Sequence, residues 1–499
     1  MELQFQISKH SCLKPLQVQS GNREQTQELR LPEGYPDVGR VLAAWGQAVL
    51  RGKHWQSDTA GFSCGVMAWV LYAPEDGTAA RSVECWIPMT VQWEHGAAEA
   101  DGTLLLNGFL QSVDARAVSG RKLIVRASLG VQAQMYVPSQ VTEYVPENLP
   151  EDICLLQRTY PVCLAMECGE RAFAIDEELT LPAAAPAPEK LISYGLTMYV
   201  EDKKVLGDKA VFRGNGQLHL LYRTVEGALA AWELSVPFSQ YAELTAAYGN
   251  EAQIRVVPAV TALELEMGEQ GRLRLKAGLS GQYVLYDTRK VTVVEDAYSP
   301  ERSVTCAMEA VEFPSLLDRQ SQTVTVEQTV LSGSSRAADV AAFPTGVHTV
   351  RRGDQAQTEL TGQLQALYYD TEDVLQAACV RWQEQLTMTV AENACLDISC
   401  APAGKPELLP GEDTTVLRGA LALETRIYGQ ERYEAVSGLT VGEATEKDPG
   451  RPSLILCRAG EQSLWELAKA VGSTVEAIRE ANGIQGEPEK GRMLLIPVP

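Results

Sequence analysis

The chain has 499 residues, 45% of them apolar and 22% charged. That is an ordinary globular composition, with length for three or four domains at roughly 100–200 residues each. Its 65 acidic residues outnumber 43 basic ones, for a net charge of −22. This excludes a nucleic-acid binder working through phosphate contacts and disfavours plain adhesion to an anionic membrane.

In chain order, Met1 to Gln6 lacks a basic end followed by an apolar block. No secretory leader is expected, and the chain is expected to stay in the cytoplasm. The longest uncharged apolar run, Phe62 to Ala73, has twelve residues, whereas a spanning helix needs about 20. The eleven cysteines are irregularly spaced and include no CxxC, so reduced thiols acting as small hydrophobes are expected. The five histidines are scattered, and no metal site is expected.

Three sixteen-residue stretches, Arg121 to Tyr136, Gly271 to Tyr286 and Asp413 to Tyr428, align without gaps. They share a basic residue (Arg126, Lys276, Arg418), a small one (Ala127, Ala277, Gly419), a leucine (Leu129, Leu279, Leu421) and a closing tyrosine. Upstream, Gly216-Gln-Leu-His-Leu-Leu-Tyr222 matches Gly362-Gln-Leu-Gln-Ala-Leu-Tyr368, with Gly65 to Tyr72 as a longer counterpart. A tryptophan follows each: Trp86, Trp232 and Trp382. Landmark and closing tyrosines lie 64, 64 and 60 residues apart, and the period is 150 and then 146. Constant order and spacing predict a triplicated unit too long for a solenoid repeat. The apolar runs have strand length and alternation, so each unit is expected to be a mainly antiparallel β domain with its own core. Only Gln240 to Tyr248 and Ala337 to Ala342 read as short helices. The expected division is 1–150, 151–300 and 301–445, a linker at 446–452, and a last module at 453–499. Leu218, Leu220, Leu364, Leu367 and Trp232 are expected inside.

The last module reads as strand, helix, helix, strand, starting at Leu454-Ile-Leu-Cys457 and returning through Met493 to Ile496. Ser463 with Glu466, and Ser473 with Glu476, have the spacing of capping boxes. Leu464, Leu467, Ala468 and Val471 form one helical face. Gly472 and Asn482-Gly483 are the expected helix stops.

This module resembles a LysM domain. The resemblance rests on Gly460-Glu-Gln-Ser-Leu-Trp465, on Thr474, Ile478 and Asn482, and on Gly491-Arg-Met-Leu-Leu-Ile-Pro497. It implies a small α+β fold and a groove for N-acetylglucosamine chains between two loops, formed by Gly460, Glu461 and Gln462 with Gly483, Ile484 and Gln485. Ser463, Leu464, Trp465, Leu467, Ile478, Asn482, Leu495 and Ile496 take structural roles, with Trp465 expected in the module's core.

Repeated β domains before one LysM resemble the SPOCS-domain (DUF3794) proteins of spore-forming Firmicutes. The two G-Q-L-x-x-L-Y segments and Trp232-Glu-Leu-Ser-Val-Pro-Phe238 carry that resemblance; the third unit has Trp382-Gln-Glu-Gln-Leu-Thr-Met388 instead. It implies a spore-coat morphogenetic protein working in the mother cell, joining a SpoIVA-like coat ATPase to the forespore surface through its LysM end. The motifs of phosphate-loop, zinc-protease and serine-hydrolase sites are missing, so no catalytic residue, cofactor or metal ligand is assigned. Besides the coat scaffold, a peptidoglycan-binding LysM adaptor and a hydrolase of wall or cortex remain as readings.

Overall fold

A computed structural model describes the chain except residues 57, 95–100, 332–335, 371, 392–393, 405, 411–414, 445–449, 451 and 499. Of residues 17–20, 330–331, 402 and 410 it describes the backbone alone. The expected linker at 446–452 thus lies largely outside the described residues. The fold is mainly β, in several antiparallel sheets, with two short α-helices.

After β1 (Glu2–Gln4) come β2 (Gln6–Arg30), β3 (Val38–Trp55), β4 (Thr59–Pro74), β5 (Arg81–Glu94), β6 (Thr103–Ser119) and β7 (Lys122–Val145). β2 and β6 flank β7, while β3, β4 and β5 form a three-stranded sheet. Then follow β8 (Cys154–Thr180), β9 (Pro188–Thr224), β10 (Leu229–Tyr248), β11 (Gln253–Met267) and β12 (Arg272–Tyr298). β8 and β11 flank β12, and β10 pairs with the second half of β9. β9 folds back at Gly207 (φ 61°), which sets Asp202 beside Arg213. The next group is β13 (Arg302–Leu331), β14 (Arg336–Arg352), β15 (Gln355–Tyr369), β16 (Leu375–Thr389), β17 (Cys395–Pro402), β18 (Glu407–Pro410) and β19 (Thr415–Ala444). β13 on one side and β17 with β18 on the other flank β19, and β14, β15 and β16 form a sheet. β1 pairs with the end of β19, and the Met1 amino group donates to the Val441 carbonyl. The first residues thereby tie the first group to the third. The chain ends in β20 (Leu454–Arg458), α1 (Leu464–Val471), α2 (Val475–Asn482) and β21 (Met493–Pro497).

Alternation builds these strands. On β7, Leu123, Val125, Ala127, Leu129, Val131, Ala133 and Met135 are all buried on one face, as period-2 geometry requires. Each group has its own apolar cluster. A further cluster takes Cys12 and Val141 from the first group, Val162 and Leu164 from the second, and Val311 and Phe313 from the third.

Leu218, Leu220, Leu364 and Leu367 are buried, but Trp232 is only half-buried. The three tryptophans sit at different registers, opposite Met67, Leu220 and Gly362. At Gly362 a Cβ would fall 2.0 Å from the Trp382 ring, so the close approach needs glycine. The two expected helices, 240–248 and 337–342, are strand instead, within β10 and β14. Their small residues fit either state, and pairing to β9 and β15 decides for the strand. The eleven cysteines are all free thiols. Burial pushes Cys64 and Cys85 up to about 11 and Cys168 and Cys400 up to about 12.

Candidate functional site

The C-terminal module is set by its caps. Ser463 Oγ accepts from the Glu466 N–H, and the Glu466 carboxylate accepts from the Ser463 N–H at 2.8 Å. Gly472 (φ 63°) and Gly483 (φ 61°) end the helices in the left-handed region, where glycine carries no Cβ penalty. The second cap falls one residue later than expected. Thr474, not Ser473, caps α2, by accepting from the Ala477 N–H. Ser473 is buried, its hydroxyl donates to the Pro497 carbonyl, and its own carbonyl accepts from Tyr298. Its side chain is turned to the Pro497 carbonyl in closing the module, and Thr474 takes the capping position instead. Asn482 bonds both ways with Leu495, donating to its carbonyl at 2.6 Å and accepting from its N–H at 2.8 Å. Leu464, Ala468, Ile478, Leu494 and Ile496 form the module's core, with Leu467 partly buried against it, while Leu495 points outward.

Gly460, Glu461, Gln462, Gly483 and Gln485 are exposed, and Ile484 is half-buried. The first loop meets the second through two residues the motifs had not singled out. Glu487 accepts from the Leu464 N–H at 2.8 Å, and Lys490 pairs with Glu461 at 2.5 Å. A carboxylate at the α1 N-terminus is favoured by the free N–H groups there. The result is an exposed polar surface spanning the two loops.

Trp465 lies on the seam between the module and the β body. Its indole N–H donates to Asp296 at 2.8 Å, and its ring meets Tyr298 edge-on at 4.7 Å between centroids. Lys469 pairs with the same Asp296 at 2.7 Å. Burial alone would raise the Asp296 carboxyl, but Lys469 and Trp465 outweigh it and hold the group below the usual carboxylate range. Trp465 is partly buried against the module's apolar cluster, and this contact also ties it to the body: Asp296 lies outside the module, and no spacing within 453–499 signals it.

A second polar centre joins the three strand groups. The closing tyrosines meet: Tyr286 hydroxyl lies 2.8 Å from that of Tyr136 and 2.8 Å from that of Tyr428. Each stands opposite the first residue of a flanking strand, Thr103, Gln253 or Cys395. Beside them Arg255 donates to Gln134 at 2.8 Å and to Asp397 at 2.5 Å. Burial opposes the Arg255 charge, and the Asp397 carboxylate beside it favours the charged form, so the group is held above the ordinary guanidinium value. Tyr136 and Tyr286 are raised well above the ordinary tyrosine value, chiefly by burial. These groups stay protonated and pin strands together.

His219 bridges the second and third groups, 3.1 Å from Asp339 and 3.8 Å from Glu233. Burial disfavours its charge, but the two carboxylates overcome this and raise it to about 10 from an ordinary 6.5. The bridge should therefore stabilise the fold fully below about pH 6.5 and lose its effect as pH rises through about 10. Urea midpoints of the wild type and His219→Gln, followed from pH 6.5 to 10, should converge on the alkaline side.

Among the described residues, no helix is long and apolar enough to cross a membrane. No protein-family model, no curated protein and no solved structure matches the chain.

Proposed function

We propose that the chain is a non-enzymatic spore-coat morphogenetic scaffold of the SPOCS-domain type. Three SPOCS-like β units form its body. A C-terminal LysM domain at 453–499 links a SpoIVA-like coat ATPase to the forespore surface from the mother-cell side.

The observation that carries the triplicated body is the tyrosine centre. Tyr136, Tyr286 and Tyr428 hold equivalent registers and meet one another. Two further features recur with them. The aligned cations Arg126, Lys276 and Arg418 face Asp114, Glu264 and Glu407 on the flanking strand. In the first two units that strand also shifts register next to the aligned leucine, between Leu110 and Ser112 and between Val260 and Ala262; in the third it is in two pieces, β17 and β18. Bulges are positioned features of a fold and rarely recur by accident. The order β20, α1, α2, β21 and the placing of Asn482 support the LysM reading of the module. A body cross-tied by buried polar groups, carrying a small module with exposed loops, suits a rigid spacer that presents a binding end.

The exposed Gly460–Gln462 and Gly483–Gln485 loops also favour a second reading, a peptidoglycan or N-acetylglucosamine-binding adaptor. Binding of the purified full chain to the ATPase and to muropeptides separates the two. The scaffold reading expects capture of the ATPase and none of the muropeptides. Muropeptide capture alone would replace it with the adaptor.

A further inference from the structure

We propose that the outer edge of β20 accepts an extended apolar strand of a partner protein, extending the module's two-stranded sheet by β-augmentation. This deepens the scaffold reading and rests on it for the choice of partner.

The backbone of β20 shows which way each residue turns. Val498 N–H donates to the Ser453 carbonyl, and Ala459 N–H to the Arg492 carbonyl. In an antiparallel pair the hydrogen-bonded positions recur every second residue. Ile455 and Cys457, opposite Ile496 and Leu494, therefore point their backbone groups at β21. Leu454, Leu456 and Arg458 point theirs away. Leu454 and Leu456 have no hydrogen-bond partner for those groups among the described residues. On β21 the same parity turns Leu495 outward, and there Asn482 seals the edge with two hydrogen bonds. One edge of the sheet is closed by a side chain, and the other is open among the described residues.

Side chains tell the same story. Ile455, Cys457, Leu494 and Ile496 face the helices. Leu454, Leu456, Met493 and Leu495 face outward, at 54%, 66%, 51% and 38% exposure. Leu456 stands directly opposite Leu495, so the four lie together on the sheet face turned away from the helices, with Arg458 beside Met493 at its end. Natural edge strands are usually blunted by charged side chains, proline or a bulge; β20 has no lysine, proline or bulge, and its single charge, Arg458, stands at its last position. The docking contacts to the body come from Trp465, Lys469 and Ser473, which leaves this side of the module outward. An open row of backbone donors and acceptors fits a strand, and the leucines beside it fit apolar side chains at alternate positions of that strand. A helix would satisfy the leucines and leave the backbone row unmet.

The test uses the full chain with two probes, the coat ATPase and a soluble peptide of alternating valine and lysine. Residue-resolved amide exchange is read at Leu454, Leu456 and Arg458, and affinity is compared with Leu456→Lys and Leu456→Pro. The Leu456 side chain and N–H both face out, so either variant leaves the β20–β21 bonds in place; thermal melts check this. The proposal expects the three outward amides to slow on binding and both variants to weaken capture by about tenfold or more. If the ATPase binds with undiminished affinity to Leu456→Lys and leaves these amides unprotected, the edge proposal falls and the scaffold reading stands. If the peptide protects them while the ATPase does not bind, the edge stands and the scaffold reading falls. If neither probe protects them, the edge proposal is overturned.

Discussion

Asp397→Ala should destabilise the β body by about 3–5 kcal/mol, the usual cost of breaking a buried ion pair from one side. Asp397 lies between two guanidinium groups, 2.5 Å from Arg255 and 3.4 Å from Arg426. The side chains of all three are at most 7% exposed. Removing the carboxylate leaves two buried cations that cannot neutralise, because a guanidinium keeps its proton at any ordinary pH. Arg255 would retain its bond to Gln134, and Arg426 its pairing with Glu424. The pair links the second group to the third, and Gln134 extends it to the first, so the loss should appear as a lower urea midpoint for the whole body. Asp397→Asn keeps an acceptor without the charge and should fall between. A loss under about 1 kcal/mol for Asp397→Ala would mean that water reaches these cations readily.

Removal of residues 453–499 should abolish capture of the coat ATPase while the β body stays folded. The body should survive because, among the described residues, β20 and β21 pair only with each other and share no sheet with the remaining strands. The cut uncovers Tyr298 and Asp296, so a modest drop in melting temperature should accompany it. Interface energy concentrates in a few anchors, so the loss of binding should be complete. Trp465→Ala is the informative companion. Its ring packs on Tyr298 and its N–H serves Asp296; the variant should free the module from the body more than unfold it. A truncated chain that still captured the ATPase would move the partner site into the β units.

Much of the fold was readable where a strong period or a cap fixed it. The strand alternation around Leu123 to Met135, the order of the last four elements and the Ser463 capping box follow from local spacing. What escaped was decided at long range. Residues 240–248 place Tyr241, Leu244 and Tyr248 at helical spacing, and 337–342 are alanine-rich, yet pairing with partner strands makes both extended. Ser473 has cap spacing, yet Tyr298 and Pro497 claim it. The alignment found the three closing tyrosines, but nothing local to each says that their hydroxyls converge. Arg255, Asp397, Gln134 and Asp296 are not among the shared motif positions, and the contacts Arg255–Gln134, Arg255–Asp397 and Asp296–Lys469 span 121, 142 and 173 residues. At the module, the exposed loops were legible, but Glu487 and Lys490, which connect them, were not.

Imaging a fluorescently tagged copy of the chain through sporulation tests the central claim most directly. The scaffold account predicts signal gathered around the forespore on its mother-cell side, dispersing into the mother-cell cytoplasm when the SpoIVA-like ATPase is deleted or residues 453–499 are removed. Signal on the outer wall of vegetative cells, unchanged by loss of the ATPase, would contradict it.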